Sequence, residues 1–567
     1  MRRTLVVLLS VLLCVGAASA QKTKRHSKTR AKAQPKIGSL PVGAAAAMQS
    51  VSADRIRADV RFLSSDLLEG RGTGARGGDL AAQYIATQFA LAGLKPAGDD
   101  GGFLQKVPMV GVSTKPESTL EISTGKGEPM KLRLLEDMVL MNESQLPTAD
   151  VSGDVVFVGY GITAPEYNWD DYAGINVKGK VLLMFVNEPP SQNENFFKGK
   201  ALTYYGRWTY KFEHAAEMGA AGVILVHKAD MASYGWNVVR NSWSGERSSL
   251  RDDPSPKLPM SSWIQLELAR KVLADAGQDL DKLLQAAGQP GFKPIPLPVK
   301  VTAHIVSSVR PFESQNVVGV LEGSDPELKK EGVIYTAHYD HLGIRPDIPG
   351  DNIYNGALDN ATGTAMIIEM ARAAATSQKK PKRSLYFAAV TAEEQGLCGS
   401  EYLGKHPPIP ADRISLNLNF DSIAPLGIPK QVSAGGYDRT NFAPIFDKTA
   451  SDFGFKILAP GRPEAGGYYR SDHFSFARVG VPAFSVNTGE KYEGQPEEWV
   501  NARRQEMGKN YHEPNDEFRD DFDYRADAVM ARFGLALGYK AAELPTMVQW
   551  KSGDEFEAKR KPQVGSK

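Results

Sequence analysis

The stretch VIYTAHYDHLG (333–343) places His338, Asp340 and His341 within four positions at the end of an apolar run, in a chain of 567 residues with only 9 histidines. Imidazole and carboxylate at this spacing either meet solvent at a strand end or serve as a metal ligand with a hydrogen-bonded partner. Similar endings recur. SLYFAAVTA runs into Glu393-Glu394, SLNLNF into Asp421 and AFSV into Asn487. The loop NGALDNATG puts Asp359 just before a helix, and YHEPND carries His512 in a proline-containing loop. Taken singly, Asp359 could be a helix cap, Asp421 a strand-end turn residue and His512 a loop histidine. The adjacent glutamates resist such an account. Two carboxylates at the end of a buried strand repel each other and lose hydration unless a cation is near. Together these residues form the donor set of a zinc-type site.

Such residues must be brought together by the elements that end in them. From Val301 onward, apolar strand-like runs alternate with helical patterns over more than 200 residues: NVVGVLEG, GVIYTAH, a helix over 363–374, RSLYFAAVTAEE, ISLNLNFDS and VPAFSVNT. This alternation predicts an α/β domain with a mostly parallel mixed sheet flanked by helices. Ligands in such sheets collect at the carboxyl ends of the strands, which is where the His, Asp and Glu residues fall. Residues 51–110 read as an N-terminal part of the same domain, with apolar positions at helical spacing (Ile56, Val60, Leu63, Leu67), a Gly/Arg loop EGRGTGARGG, and a helix from about Asp79 to Leu91. The block 111–300 has its own strand, strand, helix, strand order and ends in a proline cluster, Pro294 to Pro298, that suits a boundary. It reads as a smaller, β-rich α+β domain inserted into the first. The catalytic portion is expected over 301–545 and a polar tail over 546–567.

The first twenty residues combine Arg2-Arg3, an apolar run from Leu5 to Val15 and a small-residue site at Ala18-Ser19-Ala20, the pattern of a cleaved export signal. This implies export to the periplasm or the exterior. The run is too short for a permanent membrane span. Residues 21–50 read as a basic, disordered linker. Nine of the 67 Lys/Arg precede Ile37, so the remainder carries 58 basic against 66 acidic groups. A body of net charge −8 argues against a nucleic-acid partner. After cleavage one cysteine remains, Cys398, which excludes an intramolecular disulfide and suits a buried small hydrophobe.

The pieces AHYDHLG, GALDNATG, TAEEQGLCGS, NFDSI, SDHFSFARVGVPAF and YHEPND, in this order, resemble the co-catalytic di-zinc aminopeptidases, a family that includes glutamate carboxypeptidases. The central block resembles a protease-associated domain through YNWDDYAGINVKGKVLLM and AAEMGAAGVILV. The resemblance implies a zinc exopeptidase fold, two zinc ions per chain, peptide substrates and hydrolysis by a metal-bridged hydroxide. It assigns Asp359 as the carboxylate shared by both metals, His338 and Asp421 to one site, Glu394 and His512 to the other, Glu393 as general base and Asp340 as the partner of His338. His341, Asp472 and His473 would line the site. It further implies a cis peptide between Asp359 and Asn360. An exported aminopeptidase is the leading reading. A one-zinc glutaminyl cyclase-like transferase, a glutamate-type carboxypeptidase and a non-catalytic receptor-like binding protein are the alternatives.

Overall fold

A computed structural model describes residues 43–564, apart from Asp347, Pro460 and the side chains beyond Arg560. The expected export signal (1–20) and the linker as far as residue 42 lie outside the described residues. The last part of that linker is ordered. An alanine-rich run, intrinsically helix-favouring, forms α1 (Ala44–Ser50) with Ala44, Ala47 and Met48 buried. The Arg532 guanidinium holds its end by donating to the carbonyls of Met48 and Val51 at 3.1 and 2.9 Å.

Helix α2 (Ala53–Leu63) is capped by Ser52, whose hydroxyl accepts from the Arg55 N–H, and buries Ile56, Val60 and Leu63. Leu67, expected on the same stripe, lies beyond the helix and is 72% exposed. Helix α3 (Arg76–Leu91) begins three residues earlier than its sequence pattern indicates. The strands of the main sheet are β1 (Leu104–Thr114), β2 (Ile295–Leu321), β3 (Gly332–His338), β4 (Ser384–Val390), β5 (Ile414–Asn419), β6 (Gln431–Gly435), β7 (Lys456–Leu458) and β8 (Ala483–Thr488). They pair in the order β1-β2-β4-β3-β5-β8-β6-β7. The four central strands β4, β3, β5 and β8 are mutually parallel; β2 runs antiparallel to β1 and β4, and β6 antiparallel to β8 but parallel to β7. Every residue of β3, β4 and β5 is buried. Continuous burial explains why they read as unbroken apolar runs rather than alternating ones. Helices α4 (Thr362–Ala375) and α5 (Arg525–Glu543) cover the sheet, and with α1 to α3 they share its main apolar core. Among the described residues no helix is long and apolar enough to cross a membrane.

Between β1 and β2 the chain builds a second sheet. Its parallel core is Thr148–Phe157, Val181–Phe185, Gly222–His227 and Ser261–Gln265. Two apolar clusters of its own, drawn from residues 120–305, fill its faces. The boundary differs from the expected one near 300. Pro296 and Pro298 lie inside β2, whose first half pairs with this second sheet as far as Val306 and whose second half pairs with β1 from Ser307. A register shift between Pro296 and Lys300 accommodates the missing N–H groups.

The segment expected as a polar tail (546–567) is also packed. Val548, Trp550 and Phe556 are buried, and the Trp550 indole donates to the Gly480 carbonyl at 3.0 Å. Arg439 binds Asp554 and Glu555 at 2.7 Å each. Burial alone would raise the Glu555 carboxyl, but the Arg439 and Lys198 cations pull it down to about 2 from 4.5. With the folded value below the unfolded one, its contribution is complete above about pH 4.5 and is lost as pH falls towards 2, a change on the order of 3 kcal/mol. Urea titration should therefore show Glu555→Gln well below wild type at pH 7, with less than half of that gap left at pH 3 and little of it at pH 2. Arg439→Ala, which leaves Asp554 and Glu555 only the more distant Lys198 ammonium at 3.9 and 3.4 Å, should cost about 3 kcal/mol at pH 7.

Candidate metal centre

The strand order puts the carboxyl ends of β4, β3 and β5 side by side, and each end delivers polar side chains. His338 is the last residue of β3, Glu393 and Glu394 come after β4, and Asp421 after β5. Two non-glycine residues at these turns adopt the left-handed conformation, Ala392 (φ +56°) and Ser422 (φ +55°), as does His512 (φ +59°) in the loop after the helix Glu497–Asn510. Such conformations are sparsely populated and persist where surrounding contacts enforce them.

Asp359 stands at the middle. Its Oδ1 lies 3.2 Å from His338 Nε2, which is also 3.4 Å from Asp421 Oδ1. Its Oδ2 lies 3.3 Å from His512 Nε2, which is 3.0 Å from Glu394 Oε2. The two oxygens of one carboxylate thus face two separate donor groups, His338 with Asp421 and His512 with Glu394. The Asp359-Asn360 peptide is cis. The loop is held from both sides. The Asp516 carboxylate accepts the N–H groups of Leu358 and Asp359 at 2.9 and 3.0 Å. The Asn360 amide donates to Phe420 O at 3.0 Å and accepts from Gly363 N at 2.9 Å and Ser422 N at 3.1 Å, tying the loop to the end of β5. Gly363 is required by this contact, since a Cβ there would come within 2.4 Å of Phe420 O.

A buried chain of hydrogen bonds fixes Asp421. Asn417 donates to Thr336, Thr336 to Asn419, Asn419 to Ser471, and Ser471 to Asp421 Oδ2 at 2.6 Å. The Asp340 carboxylate does not take the expected direct bond to His338. It lies 3.8 Å from Nδ1, while the Asp340 carbonyl lies at 3.2 Å. The carboxylate accepts instead from Thr73 Oγ1 at 3.1 Å and Glu393 N at 3.2 Å. It therefore joins β3, the Glu393 turn and the N-terminal loop. His341 is buried rather than solvated, and its Nδ1 lies 2.8 Å from Glu394 Oε1. Glu394 is thereby held between two imidazoles. Asp472 and His473 are fully buried behind the centre. Burial pushes Asp472 up to about 7 and His473 down to about 3. His473 packs on Tyr468 with ring centroids 4.8 Å apart and stands outside the donor group.

The residue that sequence reasoning missed is Arg71. In the sequence it is only part of a Gly/Arg loop. In the fold it is completely buried and donates to four carbonyls: Tyr339 (2.6 Å), Leu63 (2.5 Å), Asn355 (2.6 Å) and Gly356 (2.8 Å). Two of these flank the His338 and Asp359 segments. Burial lowers it to about 10, opposed by the charges of Asp516, Asp340, Asp359 and Glu394. The one signal in the sequence is an arginine among glycines, EGRGTG, where the backbone must turn sharply; Gly70 has φ +65° with a would-be Cβ 2.5 Å from Tyr354 O.

The adjacent glutamates differ electrostatically. Burial, then Glu394 and Asp421, raise the Glu393 carboxyl despite the opposing His338 charge. Burial would also raise Glu394, but His341 and His512 bring it below its ordinary value. Two carboxyls pushed apart in this way suit two tasks, proton transfer and permanent anion. The donor set fits zinc. The Nε2 atoms of His338 and His512 are buried with no hydrogen-bond donor or acceptor in proper geometry, aimed at carboxylate oxygens. Ligand atoms of His338, Asp359 and Glu394 all lie within 4.8 Å of one another. His512 Nε2 lies 3.3 Å from Asp359 and 3.0 Å from Glu394, and Asp421 Oδ1 lies 3.4 Å from His338 Nε2, so that two imidazoles and three carboxylates are available to borderline-soft dications.

Residues 316–537 match the model of Peptidase family M28, and the family resemblance carried by the motifs is borne out over that stretch. Leupeptin-inactivating enzyme 1 of Streptomyces exfoliatus is 30% identical over 213 residues, covering 36% of this chain and 46% of its own. A probable leucine aminopeptidase 2 of Aspergillus oryzae is 24% identical over 504 residues, 84% of each chain. The chain spans less than half the length of the first curated relatives it matches. Among solved structures, an aminopeptidase from Aneurinibacillus sp. strain AM-1 aligns over 90% of this chain and 98% of its own at 19% identity, with a TM-score of 0.49.

Arg71→Ala should leave the buried carbonyls of Tyr339, Leu63 and Asn355 without this donor, while the Gly356 carbonyl keeps the Ala361 N–H at 3.2 Å, and destabilise the protein by several kcal/mol, at about 1–3 kcal/mol for each unsatisfied group. Arg71→Lys restores the charge but not the planar fork and should recover only part of the loss. Urea denaturation of both variants measures this, and a lysine variant as stable as wild type would contradict the account.

Proposed function

We propose that this chain is an exported co-catalytic di-zinc aminopeptidase, removing N-terminal residues from peptides. The observation that carries the reading is Asp359, whose two oxygens face His338 with Asp421 on one side and His512 with Glu394 on the other. These five residues would hold two zinc ions, which when bound polarise a scissile carbonyl and lower the pKa of water.

The chain's own groups supply the rest. Glu393 is half-buried, is not among the five donors, and has a carboxyl raised above its ordinary value, so it can accept a proton from the attacking water and return it to the leaving amine. Asp340 fixes the Glu393 main chain through its N–H, and His341 fixes Glu394. The two glutamates therefore hold different positions although they are adjacent. The domain inserted between β1 and β2 is proposed to be of the protease-associated type and to cover the site. Roles of Asp472 and His473 are positional, as neighbours walling the centre from behind.

Two substitutions separate the roles. Glu393→Gln should keep metal content near wild type while turnover of aminoacyl substrates falls by about 10²–10⁴. Asp359→Ala should lose both equivalents of zinc. Metal analysis of the purified proteins, with aminopeptidase assays before and after chelator, decides between readings. Loss of one equivalent only would remove the shared-carboxylate role. A wild-type protein with a single zinc that cyclises N-terminal glutamine would replace the peptidase reading with the transferase one.

A further inference from the structure

The inserted chain returns to the main sheet before it ends. Residues Arg247–Leu250 form a strand antiparallel to β1, with Arg247 opposite Val112 and Leu250 opposite Met109. Among the described residues no other strand pairs with it, so its outer side is an open sheet edge. In an antiparallel ladder, opposed residues alternate between those that exchange N–H and C=O bonds and those that do not. Arg251 N donates to Pro108 O at 3.0 Å, which fixes the alternation here. Arg247 and Ser249 turn their main-chain groups towards β1, and Ser248 and Leu250 turn theirs outwards. The outer contacts agree with this. The Leu250 carbonyl accepts from the Gln145 amide at 2.9 Å, and the Ser248 carbonyl meets the weak thiol donor of Cys398 at 3.9 Å.

Open edges are normally blunted by lysine, proline or a bulge, because they invite another chain to pair. The sequence Arg-Ser-Ser-Leu has none of these devices, and its register with β1 runs without a shift. The Arg247 side chain is laid over the rings of Trp208 and Trp243, at 5.2 and 4.7 Å, instead of guarding the edge. The two serines are small, and Gln145 steadies the strand by donating to the Ser249 hydroxyl at 3.1 Å. All four residues line a cavity of about 510 Å³ that also takes in Glu393, Glu394 and the segment from Gln395 to Cys398. The contact of Cys398 with Ser248 ties the edge to the segment that carries the two glutamates.

We infer that an extended peptide substrate docks by adding its main chain to the edge Arg247–Leu250, pairing with the outward N–H and C=O of Ser248. This rests on reading the centre as an aminopeptidase site. Such an enzyme has a single residue on the acyl side of the bond it cleaves, so a main chain paired along a strand belongs to the leaving part of the substrate. Main-chain pairing contributes affinity without reading side chains. The edge therefore serves peptides of at least three residues, whatever their sequence beyond the first.

The test uses Leu-p-nitroanilide, which has no main chain beyond the scissile bond, and Leu-Ala-Ala-Ala-amide, unmodified or N-methylated at its third or its fourth residue. Neither methyl group touches the scissile bond. In wild type, methylation at one of the two positions should lower kcat/KM by about fivefold to thirtyfold, the worth of one or two main-chain hydrogen bonds, and at the other by less than about twofold. Ser248→Pro removes the outward N–H and sets the proline ring on the edge, while the bonds of Arg247 and Ser249 to β1 stay possible. In this variant the kcat/KM ratio of peptide amide to p-nitroanilide should fall by a similar factor, and the difference between the two methylated peptides should vanish. Equal penalties at the two positions, no penalty at either, or an unchanged ratio in the variant overturn the pairing. If Ser248→Pro does not fold, the methylated pair decides in wild type alone. If wild type hydrolyses none of the compounds, the peptidase reading fails. Calorimetric binding of the three peptides to wild type then still decides the edge, by the same alternation.

Discussion

Five carboxylates, Asp340, Asp359, Glu393, Glu394 and Asp421, are gathered at one end of a buried sheet, and the local fold is arranged around their mutual repulsion. Carboxylates out of water at this density cannot all ionise without cations among them. The protein supplies part of that positive charge from the buried Arg71. The rest would come from dications, for which two imidazoles and three carboxylates offer ligand atoms. The same crowding distinguishes Glu393 from Glu394. One is flanked by anions and rises, and the other is clasped by two histidines and falls.

Keeping such a group in place demands rigidity, which comes from the parallel strands and from polar threads running through them. The Asn417–Thr336–Asn419–Ser471–Asp421 chain crosses from inside the sheet to the centre. Asp516 and Asn360 hold the Asp359 loop by its backbone. Each thread satisfies buried polar groups that would otherwise be costly, so the positioning of the donors and the stability of the domain are the same set of bonds.

The strand ends were legible because fully buried parallel strands write themselves as apolar runs, and a charged or imidazole side chain at the carboxyl end of such a run stands out as an interruption. His338, Glu393-Glu394 and Asp421 carry that signal. Asp359 and His512 lie in loops and had weaker signals of their own. Arg71 could not be found by period or run, because its role is set by four carbonyls from segments up to 285 positions away. His341 gave a histidine's usual ambiguity, and its partner Glu394 lies 53 positions on. Charge content misled at both ends of the described chain. The residues after 546 are mostly polar, yet three apolar anchors and a buried arginine hold them down, and alanines before Ser50 form a helix rather than a linker. Prolines misled at the domain border, where a register shift lets them sit inside a strand.

The strand β2 runs through both sheets, and its partner β1 enters beside it with Thr114 opposite Ser307. A chain passing straight from Thr114 to Ser307 would need only a tight hairpin to complete the main sheet. The inserted residues are thus grafted at the tip of a hairpin, the one kind of place where a chain can be lengthened without changing its pairing. Every candidate metal donor lies after Ser307, outside the graft, while the cavity beside the centre is walled in part by the graft. The insertion can therefore shape one wall of that cavity without entering the pairing that sets the donors.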